Sequence, residues 1–87
     1  MHAVVVKVTV ENVEKAQELL QSRVVPAVSQ APGFVAGYWT RAGNGGLSML
    51  VFDSEDGARQ WADQVPQMAP EFVTVDSVEV REVVASA

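Results

Sequence analysis

The chain has 87 residues, 48% hydrophobic and 20% charged, with eighteen valines and a net charge of -5. This balance excludes a disordered polyelectrolyte, and the acidic excess argues against nucleic acid or anionic membrane surfaces as partners. With no cysteine and one histidine, His2, there is no disulfide framework, thiol nucleophile or multi-histidine cage, so no metal or cofactor is expected.

From His2 to Val10 the valines at 4, 6, 8 and 10 alternate with Ala3, Val5, Lys7 and Thr9, a period of two that predicts a first strand. Asn12 is a candidate N-cap, and Val13, Ala16, Leu20, Val24 and Val28 follow at helical spacing, predicting a helix to about Gln30. Pro26 falls inside that pattern and removes one backbone donor, so a kink or a restarted turn is expected near Val25.

Pro32 and Gly33 punctuate the chain before a second strand, Phe34 to Arg41, on which Phe34, Ala36 and Tyr38 should face one way and Val35 and Trp39 the other. The stretch from Ala42 to Gly46 suits a hairpin loop into a third strand, Leu47 to Phe52. Asp53 or Ser54 can cap the next helix, where Glu55 and Asp56 favour the positive end of the dipole and Ala58, Trp61, Ala62 and Val65 form an apolar stripe. Pro66 and Pro70 should end it. A long last strand is predicted over Phe72 to Val84, with the odd spacing between Val75 and Val78 marking a bulge or a register change.

The order strand, helix, strand, strand, helix, strand predicts one α+β domain over residues 1–87. Its architecture should be a ferredoxin-like sandwich, a four-stranded antiparallel sheet with both helices on one face. No apolar stretch approaches the roughly 20 residues of a membrane span and no signal-peptide pattern is present, so a soluble, cytoplasmic protein is expected.

The third strand carries Leu47, Met49 and Val51 on one face and Leu50 and Phe52 on the other, so both sides of the sheet are apolar. Three or four such side chains left in water would each forgo roughly 1.5–3 kcal/mol of burial. The cover expected is a second copy packed sheet against sheet, giving a closed homodimeric barrel; the alternative is a monomer whose C-terminal segment folds over that face.

Three segments carry a family resemblance: Val24-Val25-Pro26, Pro32-Gly33-Phe34, and Val51-Phe52-Asp53-Ser54-Glu55-Asp56 followed by Trp61. With them the chain resembles the antibiotic biosynthesis monooxygenase superfamily of dimeric α+β barrels over about residues 2–84. The resemblance implies a homodimer with a small apolar pocket in each subunit between helices and sheet. It also implies a cofactor-independent monooxygenase-like activity on a small aromatic or polyketide-like molecule; a noncatalytic small-molecule-binding or dimerisation module is the alternative. Trp61 matches the second-helix tryptophan of the family. The asparagine that quinone-forming members place one turn earlier is Gly57 here. Where haem-degrading members place an axial histidine stand Pro70, Glu71 and Phe72, and the first strand lacks their asparagine.

Five residues are candidates for substrate binding. Trp61 could stack a flat substrate, Tyr38 could orient an oxygenated one, His2 could carry a proton near neutral pH, Arg81 could hold an oxyanion, and Met68 could form an adaptable wall. Each has a plain structural alternative: core packing for Trp61, Tyr38 and Met68, solvation for His2, and pairing with Glu79 or Glu82 for Arg81. Asp53, Glu55 and Asp56 are read as helix-start residues rather than a cation site, and the glycines at 43, 45 and 46 join two strands without the lysine of a phosphate loop.

Overall fold

The computed structural model describes residues 1–87. Four strands, β1 (His2–Val10), β2 (Phe34–Ala42), β3 (Gly45–Phe52) and β4 (Val73–Glu82), form an antiparallel sheet in the order β2-β3-β1-β4. Between β1 and β2 runs a helical arm made of α1 (Val13–Leu19), a π-helical turn (Leu20–Val24) and α2 (Val25–Ser29); α3 (Glu55–Met68) joins β3 to β4. Arm and α3 lie on the same face of the sheet, which is the ferredoxin-like α+β arrangement.

The π turn explains how the arm accommodates Pro26. A proline in a helix cannot donate to the carbonyl four residues back. The chain inserts an extra residue into the preceding turn, so the Val25 N–H bonds to the Leu20 carbonyl, five residues back, and α-geometry restarts around the proline. Asn12 caps α1, its side chain accepting from the Lys15 N–H at 3.1 Å. Ser54 caps α3 in the same way, accepting from the Gly57 N–H at 3.1 Å.

Several boundaries differ from those expected. Pro66 does not end α3, which continues to Met68; its ring is on the exposed side, where water can satisfy the carbonyl that loses its partner. The hairpin between β2 and β3 is tighter than the stretch from 42 to 46, because Ala42 pairs with Gly45 and only Gly43 and Asn44 turn. Gly43 alone takes a positive φ, 62°, which is the type II′ signature that matches strand twist. The last strand stops at Glu82.

Two bulges set which side chains face inward. Lys7 pairs with Ser77 but Val8 with Val75, so Asp76 is the extra residue, and its carboxylate accepts from the Thr9 hydroxyl at 2.8 Å. This brings Val75 and Val78 to the same face, as their odd spacing predicted. The second bulge has no such sequence signal. Phe34 pairs with Phe52 and Ala36 with Val51, leaving Val35 extra, so Phe34 shares the core face with Trp39 instead of facing out with Ala36 and Tyr38. Phe34 meets Phe52 edge to face at 5.7 Å between centroids.

The core is Val4, Val6, Val28, Leu50, Phe52, Ala58 and Trp61, between the sheet and the helices. Only nine of the 87 residues are buried, a small core even for a chain of this length. On the open face Val35 is 52% exposed, Tyr38 65%, Leu47 50% and Met49 47%, so no part of the chain covers them. The C-terminal segment is not that cover, since Val84 is itself 86% exposed. No helix is long and apolar enough to cross a membrane.

Candidate functional site

The helical arm buries no residue in α1 and one, Val28, in α2, whereas α3 buries Ala58 and Trp61. Incomplete packing under the arm leaves a cavity of about 140 Å³ between it, α3 and the sheet. Its floor is made of Val6, Val8, Val10, Val73 and Val75 with Ser48 and Leu50. These short side chains do not span the gap to the helices. Leu19, Leu20 and Val24 wall one side, Trp61, Val65 and Met68 the other, and Trp39 closes the β2 end.

No titratable side chain lines this space, and Ser48 supplies its one side-chain hydroxyl. None of the side-chain hydrogen bonds within the chain involves Ser48, Trp39 or Trp61. The cavity is therefore an apolar volume, open on one side, with uncommitted hydrogen-bonding groups in its floor and walls.

Of the five candidates from the sequence, Trp61 and Met68 are brought together on the cavity wall. Tyr38, His2 and Arg81 are not. Tyr38 alternates with Trp39 along β2 and projects from the open face. Arg81 is engaged by Glu79, its Nε donating to the Glu79 carboxylate at 2.7 Å. His2 shares the core face of β1 but sits at the end of the strand nearest the start of α3, where its Nε2 is 4.0 Å from the Glu55 carboxylate and its Nδ1 is buried without a partner. Glu55 bonds chiefly to Arg59, at 2.9 Å; that hydrogen bond and the guanidinium charge hold its carboxyl below the usual range. Among the cavity residues absent from the candidates are Ser48, which carried no sequence signal, and Trp39. The sequence signal for Trp39 was the Tyr38-Trp39 pair, which requires opposite faces but does not say which one is inward. The structural reason lies next door: Gly37, on the core face between Phe34 and Trp39, leaves room for both rings, and a Cβ there would stand 3.0 Å from each of Leu50 and Trp39.

No protein-family model and no curated protein sequence matches the chain. Solved structures do. SnoaB, a cofactor-independent oxygenase from Streptomyces nogalater, superposes with a TM-score of 0.76 at 18% identity, over 98% of this chain and 94% of that one. The chain shares the ferredoxin-like α+β fold of this oxygenase. MhuD, a haem degrader from Mycobacterium tuberculosis, has the same fold; the structure of one of its point mutants with two manganese protoporphyrins per active site gives 0.71 at 16% identity over 100% and 98% of the chains. MupZ from Pseudomonas fluorescens gives 0.72 at 13% identity over 91% of this chain, which spans 65% of the length of MupZ.

The residues present do not fit a haem. The cavity offers no histidine, cysteine, tyrosine or carboxylate as an axial ligand, and its volume is that of a single ring rather than a four-pyrrole macrocycle. No cluster of three metal-ligating side chains exists elsewhere. Gly57, which stands where quinone-forming members carry an asparagine, lies outside the cavity. A Cβ there would stand 3.1 Å from the Pro32 carbonyl oxygen, so a side chain at this position would require a small shift of its neighbours.

Proposed function

We propose that the protein takes a small aromatic molecule into the cavity between Trp39 and Trp61 and oxygenates it without a cofactor. The observation that carries this reading is the apolar cavity itself, flanked by two indoles and free of charged side chains, in a fold shared with a cofactor-independent oxygenase. In such chemistry the substrate is the reductant. An activated C–H or phenolic O–H loses a proton, the resulting carbanion or phenolate passes one electron to O₂, and the two radicals join at a carbon that bears hydrogen to give a peroxide. Loss of water then leaves a ketone, so one oxygen atom enters the product and the other leaves as water. With no base on the cavity wall, the proton must go to water at the mouth. The walls contribute orientation and a medium in which neutral O₂ dissolves well.

The absence of any titratable wall residue favours a second reading, a binding module that holds its ligand unchanged. Oxygen uptake over a panel of anthrones, dihydroxynaphthalenes and single-ring hydroquinones separates the two. Turnover above buffer supports the oxygenase; saturable stabilisation of the fold with no uptake and no new mass leaves the binding module.

Both readings include a homodimer built by packing the open sheet faces together. The support is the contiguous Val35, Tyr38, Leu47 and Met49 surface, large side chains half or more in water on a chain with a small core of its own.

A further inference from the structure

We propose that the cavity selects an uncharged single-ring molecule bearing one polar substituent, which hydrogen-bonds to the Ser48 hydroxyl. This rests on the reading above that the cavity binds a small aromatic molecule, and it narrows the polyketide-like class that the family resemblance implies.

Size comes first. The volume of about 140 Å³ is close to the roughly 150 Å³ of an apolar cavity that stays dry and admits benzene. Fused polycycles need more space than that. The limit is firm on the sheet side, because the floor is built of valines on paired strands, whose β-branched side chains have few alternative rotamers and cannot retract.

Charge and polarity follow. An ionised group would lose its water and meet no counter-ion, since no lining side chain carries charge, so the molecule binds in its neutral form and an anion formed in turnover must keep contact with water at the open mouth. A purely hydrocarbon ring would in turn leave the Ser48 hydroxyl without a bond. Ser48 pairs in the sheet with Val6 on one side and Trp39 on the other, both of them cavity residues, so it lies within the floor rather than at the rim. Its hydroxyl is uncommitted within the chain and can either donate or accept. A phenol-like substituent satisfies it.

Calorimetric titration of the full chain with toluene, p-cresol, 1-naphthol and anthrone tests the proposal. The expected order is p-cresol tightest, toluene about tenfold weaker for lack of one hydrogen bond, and no saturable binding of 1-naphthol or anthrone. In Ser48→Ala the difference between p-cresol and toluene should vanish, with the circular dichroism spectrum unchanged. Anthrone or 1-naphthol binding as tightly as p-cresol would overturn the size selection while leaving the binding reading intact. A p-cresol preference that survives Ser48→Ala would overturn the hydroxyl contact. If none of the four probes binds, the binding reading fails and this inference fails with it.

Discussion

The two faces of the sheet are built from the same strands and from similar residues, yet they meet opposite surroundings. On the helix side Val4, Val6, Leu50 and Phe52 are buried under the arm and α3. One residue away on β3, and on the neighbouring β2, Leu47, Met49 and Tyr38 are about half exposed or more. Exposed large side chains on a sheet need a cover, whereas the helix side has more cover than it can fill, and the surplus is the cavity. The open face is also divided within itself. Its β2 and β3 half is apolar, while β4 presents Thr74, Ser77, Glu79 and Arg81, so an apolar patch is bounded by a polar strip as in a protein interface. The difference teaches that residue type alone does not decide burial here; the placement of two helices does.

The contrast breaks most severely at Phe52. It is fully buried, and Phe52→Ala should destabilise the chain by about 3–5 kcal/mol. A domain of this size has roughly 4–13 kcal/mol in total, so urea unfolding should show a much lower midpoint or no folded baseline. A midpoint close to that of the wild type would mean that the helix face is not the core. On the other face, Leu47→Lys combined with Met49→Lys should turn a dimer into a 9.3 kDa monomer in sedimentation, while the secondary structure remains. A variant that sediments as the wild type does would remove the case for sheet-to-sheet pairing.

Smaller effects sharpen the picture at α3. Ser54→Ala removes the N-cap acceptor and should cost about 1 kcal/mol, read from thermal unfolding. The Glu55 carboxyl is held below its ordinary range by Arg59, so its contribution is complete above the unfolded carboxylate range and is lost as pH falls through the lower folded value. Arg59→Ala should therefore lower stability slightly near neutral pH and flatten the acid limb, with no difference from the wild type once pH falls below the folded value. The effect is small because both side chains are at least half exposed.

Much of the fold was legible because alternation and capping are local. The valine period of β1, the Asn12 and Ser54 caps, the disturbance before Pro26 and the bulge between Val75 and Val78 are each set by neighbours within a few residues. The two-sided apolar character of β3 was equally visible. Less of the site could be read. Trp61 and Met68 were legible from helix periodicity and position. Tyr38 and Arg81 were placed with the candidates by residue type, and the register of the folded sheet sends both to the open face.

The sequence by itself determined the order of elements, the caps, the excess of apolar strand surface and the absence of thiol or histidine-cluster chemistry, since these depend on composition and short-range spacing. Tertiary structure alone decided that Val35 is the extra residue that turns Phe34 inward, that Trp39 rather than Tyr38 closes the cavity, and that Ser48 lies in its floor. Those outcomes depend on cross-strand register and on the distance between layers, which no single stretch of the chain encodes.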